Sequence, residues 1–420
     1  MGSPSRLLEL TAIIQDKTKE IDSYIRKHEL PSPSFDPSYP PVFNLGDSEA
    51  ARFAAIEAID ELKAHLLGPL GSLYDPVVEH ARLSSLHVIS KFRIAESFAQ
   101  DKTTTADEIA SKCGLPASEV KRMMRHAASY GLFQQPEKGV YAHTASTAAI
   151  LSVPFLAPAI RTTLDTMWRS TPFIVDALIK YPGSQENNET PFSLSRKTNL
   201  GLFETLATDR EMATDFAGAM SFLSGAPHMN AEHAVNGYDW SQHASSTIVD
   251  VGGSHGAIGF KLVEKWPSMK IIVQDRPEVV DTAPKDHKLV ESGQVSFQVH
   301  DFFKPQPVKD ADVYFLRQIL HDWSDKYAIG ILKALIPALK KGARIIINDQ
   351  IPPEEGVLTP RQERPTLCYD MIMKQLFNAG ERGEAEWRNL INQADERFNV
   401  IKAETPPGGQ MGFVIVEWRG

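Results

Sequence analysis

The stretch VDVGGSHG, residues 249–256, decides the fold. The β-branched run Thr247–Val251 has the composition of a buried strand, and Ala257–Glu264 has that of a helix. Strand, glycine-rich turn and helix form the opening crossover of a doubly wound α/β sheet. The turn reads G-x-x-x-G, not the G-x-G-x-x-G of dinucleotide enzymes, and Asp250 stands just before it. Without a Cβ, Gly252 and Gly253 let the backbone approach a ligand closely. An acid at the turn suits a cationic ligand better than a pyrophosphate. A tight βα turn with no ligand reads the same way locally.

Working outward, KIIVQ (270–274) is a second strand ending at Asp275. An acid at the tip of a second strand, about 20 residues beyond the turn, can accept hydrogen bonds from ribose hydroxyls; it can equally cap the helix expected at Pro277–Thr282. Further strands are expected at Val295–Val299, Ala311–Leu316 and Arg344–Ile347. They lead into His300-Asp301-Phe302, Arg317–Trp323 and Asn348-Asp349-Gln350. Polar residues therefore gather at the carboxyl ends of five successive strands, where open α/β sheets bind ligands. His321 follows an apolar run, as a packed core histidine would. At a strand's carboxyl end, with Asp349 and Glu381 as orienting acids, it is also a candidate proton acceptor near pH 7.

VDVGGSHG, IIVQD (271–275), VHDFF (299–303), LRQILHDWSD (316–325), RIIINDQIPP (344–353) and NAGERGEAEW (378–387) resemble the motif series of S-adenosylmethionine-dependent O-methyltransferases. The similarity is to the plant caffeic-acid type and to fungal enzymes acting on polyketide phenols. It spans roughly residues 80–420. It implies a class I methyltransferase fold, a doubly wound seven-stranded sheet, with an N-terminal, mostly helical winged-helix dimerisation domain. It also implies the cofactor S-adenosyl-L-methionine. Asp250, Gly252 and Gly253 would flank its methionine part, Asp275 would hold its ribose, Asp301 and Phe302 would bind its adenine, and Arg276 would also belong to the cofactor set. Arg317, where plant enzymes carry lysine, and Trp323 would complete the cofactor set. His321 matches the catalytic base, with Asp349 and Glu381 as its flanking acids; Asp349 is one methylene shorter than the usual Glu. Met220, Met371, Met373 and Asn378 fall on segments that line the substrate, although methionines in amphipathic helices commonly serve as core. No metal is implied.

At 420 residues the chain is long for one domain. The sequence divides into a helix and connector (1–48), a helical winged-helix domain (49–200) and a cofactor domain (201–420). Its 42% hydrophobic content supports substantial cores, and its net charge of −9 argues against a general nucleic-acid binder. Cys113 and Cys368 give neither metal spacing nor a disulfide framework, which fits a reducing cytosol. No secretory signal or membrane span is read from the sequence, and a cytoplasmic location is expected.

The N-terminal part reads as helical. Ser3-Pro4 gives a helix start, and Leu7, Leu10, Ile14, Ile21, Tyr24 and His28 form a seven-residue seam interrupted at Lys17. Such a seam packs on its own domain or on a second subunit. Leu30–Pro41, with prolines at 31, 33, 37, 40 and 41, is an extended connector. Ala51–Leu67 and Asp75–Phe98 are helical. Thr104–Thr144 reads as helix, turn, helix and two short strands, a winged helix-turn-helix. Lys121, Arg122 and Arg125 on its second helix allow a DNA-binding regulator, but the acidic chain favours a dimerisation scaffold that closes one side of the partner's substrate pocket in the resembled family. Two strands, Phe398–Ala403 and Gly412–Trp418, joined through Pro406–Gly409, complete the sheet.

The reading is an O-methyltransferase acting on a phenolic or enolic hydroxyl of a small aromatic or polyketide-like metabolite, as a homodimer without nucleic acid or membrane partners. A pericyclase or dehydratase on the same scaffold is the alternative. A dehydrogenase is disfavoured by the glycine spacing.

Overall fold

The computed structural model describes residues 4–226, 229–406 and 411–420. Ser3, the expected first cap, and Pro407–Gly409 of the C-terminal connection lie outside the described residues. The chain divides into two compact units, Met1–Asp165 and Thr166–Gly420.

The first unit opens with α1 (Arg6–Lys27), whose N-cap is Ser5. Leu10 and Ile25 are its buried residues, and the helix packs along α2 (Glu49–Lys91). The two helical stretches expected at 51–67 and 75–98 are joined in α2 across a kink at Gly68 (φ 68°), just before Pro69. The helix stops at Lys91, short of the expected Phe98. Arg93 turns to positive φ (51°), and the Ile94 N–H closes back on the Ile89 carbonyl at 2.9 Å. Next come β1 (Thr103–Thr105), α3 (Ala106–Cys113), α4 (Ala117–Ser129), β2 (Phe133–Glu137) and β3 (Val140–His143). Thr105 and Glu108 form a reciprocal capping box at the start of α3. The three strands form one antiparallel sheet, in the order β1-β3-β2. Ile89, Ile109, Val120, Met124, Phe133 and Tyr141 form the core of this winged helix-turn-helix. Two short helices, α5 (Ala145–Ser152) and α6 (Leu156–Thr162), follow.

The second unit begins with α7 (Ile174–Lys180), α8 (Pro191–Arg196), α9 (Leu202–Thr208), α10 (Arg210–Ser224) and α11 (Ala231–Asn236). The alternating part follows as β4 (Thr247–Val251), α12 (Ala257–Lys265), β5 (Lys270–Asp275), α13 (Pro277–Asp281), α14 (Lys288–Glu291), β6 (Val295–Val299), β7 (Val313–Arg317), α15 (Asp325–Leu335) and β8 (Arg344–Asn348). It closes with α16 (Pro360–Phe377), α17 (Glu384–Ala394), β9 (Phe398–Glu404) and β10 (Phe413–Trp418). The sequence division put a boundary at 200/201. In the structure Phe192 of α8 shares an apolar cluster with Leu202, Met373, Leu376 and Phe377, so residues 166–200 pack with the α/β part.

The seven strands run in the order β6-β5-β4-β7-β8-β10-β9. β4 to β8 are parallel, and β10 is antiparallel to both β8 and β9. Strand alternation loads both faces. Val249, Val251, Tyr314, Leu316, Ile345 and Ile347 face α15 and α17. Ile248, Ile271, Val273, Val313, Phe315 and Ile346 meet α11 and α12 residues on the other side. The chain order reverses at β4, whose neighbours are β5 and β7. The crevice at the carboxyl ends of these strands is the expected ligand position.

Candidate active site

The glycine turn is shaped by its own packing. Gly252 has φ 73°, and a Cβ there would lie 2.4 Å from Ile319 Cδ1. A Cβ on Gly253 would lie 2.4 Å from the Asp250 carboxylate. Glycine is thus required here to bring Asp250 and Ile319 against the backbone, a reason internal to the turn. The Gly252 and Gly253 N–H groups donate to the Gln274 carbonyl at 2.8 and 3.1 Å, tying the turn to the end of β5. Asp275 accepts from the Ser254 and Arg276 N–H groups, both at 2.8 Å. The two acids of the sequence pattern therefore meet across one turn. Burial, with Asp275 nearby, pushes the Asp250 carboxyl up to about 7, opposed by the charge of Arg317. A buried acid in that state is suited to a cationic ligand, which would favour its ionised form.

Beyond β6, Asp301 is exposed and accepts from the Phe303 N–H at 3.0 Å. Phe302 and Phe303 meet Trp323 edge-on, with ring centroids 5.9 and 4.7 Å away. This aromatic group at the strand ends can receive a flat heterocycle. Arg276 pairs with Glu278 at 3.0 Å and lies over the Phe203 ring. Arg317 is a brace. It donates to Asn348 Oδ1 (3.0 Å), Gln318 Oε1 (3.1 Å) and the Met229 carbonyl (2.6 Å).

After β7 the backbone twists through Gln318 (φ 54°) into a short 3-10 turn, Leu320–Asp322. This turn presents His321. Its Nδ1 lies 3.0 Å from Glu381 Oε1, and the Glu381 side chain is 1% exposed. The carboxylate orients the ring through Nδ1 and turns Nε2 to the opposite side. Asp349, after β8, is fully buried, and neither of its oxygens has a hydrogen-bond partner among the described residues. The Gln318 N–H favours its charged form but donates to the Asn348 carbonyl at 3.1 Å. Asp349 thus acts on His321 through charge, not through a hydrogen bond.

Sequence reasoning missed Asp322. Its Oδ1 lies 3.6 Å from His321 Nε2, on the ring edge opposite Glu381. Adjacency within LRQILHDWSD was the available signal, but only the 3-10 turn shows that both side chains face the same way. Burial disfavours the imidazolium, yet Asp322, Glu381 and Asp349 outweigh it and raise His321 to about 10. Burial pushes Asp322 up to about 7, with His321 opposing, and it raises Asp349 as well.

The four expected substrate contacts are dispersed. Met220 on α10 is half-buried and Met371 on α16 is exposed. Met373 is buried in the cluster with Phe192 and Phe377. The Asn378 amide donates to the Glu186 and Glu189 carbonyls at 2.8 and 3.1 Å, so that side chain is engaged in holding its loop. Among the described residues no group of three or more His, Cys, Asp or Glu is arranged to hold a metal, and no single helix is long and apolar enough to cross a membrane.

A family model described as the O-methyltransferase domain matches residues 182–396. The chain belongs to this O-methyltransferase family. A second model, the O-methyltransferase dimerisation domain, matches residues 79–152 and supports a homodimer. O-methyltransferase kk1A of Curvularia clavata is 35% identical over 99% of this chain and 98% of its own length. The grayanic acid biosynthesis cluster O-methyltransferase of Cladonia grayi is 34% identical over 99% and 88%. Among solved structures, OxaC in complex with SAH and oxaline superposes with a TM-score of 0.77 at 22% identity, covering 97% of this chain and 100% of that one. A structure described as a pericyclic reaction enzyme gives 0.70 at 23%, covering 98% and 100%. At these identities the structural likeness shows the fold.

Proposed function

We propose that this enzyme methylates a phenolic or enolic hydroxyl of a small polyketide-like metabolite, with S-adenosyl-L-methionine as donor and His321 as general base. The observation that carries the reading is the His321–Glu381 pair at 3.0 Å beside the strand ends. The cofactor supplies a methyl group on a cationic sulfur. The residues present fit it: Asp250 is a buried acid beside the glycine turn, Asp275 closes that turn, and Phe302 and Trp323 offer an aromatic surface. A relative assigned to a biosynthesis cluster and OxaC, solved with SAH, support both the metabolite class and the cofactor.

His321 takes the hydroxyl proton at Nε2 while Glu381 holds the ring through Nδ1. Glu381, Asp349 and Asp322 stabilise the imidazolium that results. Holding the acceptor oxygen in line with the methyl supplies most of the acceleration, and base assistance adds on the order of 10²–10⁴. The test is methyl transfer to a panel of phenolic polyketides, with S-adenosylhomocysteine quantified. His321→Ala should lose about 100-fold or more while retaining cofactor affinity, and Glu381→Gln and Asp349→Asn should lose less. Undiminished transfer by folded His321→Ala would overturn the base assignment.

One observation supports a second reading. Three acids favour a resting imidazolium, which suits proton donation to a departing hydroxyl, as in a dehydration. Under that reading substrate would be consumed, water lost, and no S-adenosylhomocysteine formed.

A further inference from the structure

The NAGERGEAEW motif contributes more than Glu381. Arg382, its neighbour, is buried (side chain 7% exposed) and points at the same turn. Its Nη1 donates to the Leu320 carbonyl at 2.8 Å and its Nη2 to the Trp323 carbonyl at 2.6 Å. Its Nε donates to Asp325 Oδ1 at 2.9 Å, at the first residue of α15. The two carbonyls flank His321 and Asp322. The guanidinium plane itself rests over the Trp387 ring, 5.3 Å from its centroid, and Trp387 is fully buried in the core. One face of the guanidinium is thus held by the core while its N–H groups span the turn.

We propose that Arg382 is a positioning residue for His321: Glu381 fixes the imidazole from its side chain, and Arg382 fixes the backbone turn that carries it. This rests on the reading of His321 as the catalytic base. The chemistry explains the residue type. A planar fork can bond two carbonyls and a carboxylate together, whereas a lysine ammonium has no fixed plane with which to span them. Leu320 is buried in the core and Trp323 packs among aromatic rings, but the backbone carbonyls of the turn are gathered by Arg382. The turn's own hydrogen bonds, Asp322 N–H to the Ile319 carbonyl and Trp323 N–H to the Leu320 carbonyl, are both 3.2 Å. A misplacement of about 1 Å at a reacting group can cost about 100-fold in rate.

Hydrogen–deuterium exchange of the full chain, without cofactor or substrate, tests the clamp directly. In Arg382→Ala the amides of 319–325 should exchange at least about ten-fold faster, with strands 247–251 and 344–348 unchanged. Arg382→Lys should fall between parent and alanine variant, and millimolar guanidinium ion should restore protection to Arg382→Ala. On a phenol that the parent methylates, kcat of Arg382→Ala should fall about 10–100-fold. Parent-like exchange in the turn, or loss spread evenly through the strands, would overturn the proposal. Because exchange is read without turnover, it stands apart from the base assignment. An active His321→Ala would remove that assignment and leave the clamp in place.

Discussion

At the level of single residues, the cluster around His321 is governed by burial against charge. Burial alone would keep the imidazole neutral, but three acids raise it to about 10. Those acids contribute stability when the ring is charged. That contribution is complete below the ring's ordinary pKa of about 6.5 and is lost as pH rises towards 10. Under the proposed reading His321 is a base and must be deprotonated to act, so activity should rise with pH along a limb set by this ring. Asp322→Asn removes the largest of the charges that raise it, so the limb should move to lower pH. A pH–rate profile of kcat/KM on parent and variant measures this, and a limb that stays put or moves up would contradict the geometry. Asp250 carries the same logic at the other end of the crevice. Its carboxyl stands at about 7, so a cationic ligand should bind with proton release below neutral pH. Titration calorimetry in buffers of different ionisation enthalpy should show that release, and Asp250→Asn should abolish it.

Among the elements, the β4–α12 turn and helix α2 make the clearest demands. Gly252 combines a positive φ with an Ile319 Cδ1 that lies only 2.4 Å from where a Cβ would stand. Gly252→Ala should cost about 1–3 kcal/mol from the backbone conformation alone, with the Ile319 clash added, and should lower the melting temperature and weaken cofactor binding together. In α2, Leu66, Leu70, Leu73, Tyr74 and Val77 are exposed. The same helix continues into the matched dimerisation domain, residues 79–152. A second copy of the chain is the partner this face suits, since contiguous apolar surface marks an interface. Leu70→Glu with Leu73→Glu should turn the dimer into a monomer by light scattering at micromolar concentration. A variant that remains a dimer would place the interface elsewhere.

For the whole molecule, the chain forms two units with separate cores. A ligand bound to the α/β unit stabilises it by mass action, about 2.7 kcal/mol at a hundred-fold excess over Kd. S-adenosylhomocysteine should therefore raise the thermal transition of the protein, with new exchange protection concentrated in Thr166–Gly420, around 250–256 and 275. Protection confined to Met1–Asp165 would argue against the cofactor assignment.

Much of this was legible in the sequence because strand periodicity and turn chemistry are local. Val249-Asp250-Val251 before two glycines, Asp275 closing a strand, and β-branched runs at regular intervals determine a doubly wound sheet and the residues at its carboxyl ends. What the tertiary structure alone decided concerns groups distant in sequence or directions set by a backbone twist. Only the fold shows that Asp349 meets His321 without a hydrogen bond, and that Asp322 faces the ring edge opposite Glu381. It also reveals Met373 and Asn378 committed to packing and loop closure, and Arg382 reaching back to Leu320 and Trp323. Periodicity says which face a residue occupies. Whether its polar atoms are free depends on partners brought together by long-range packing, and that packing is where the chemistry of this site is set.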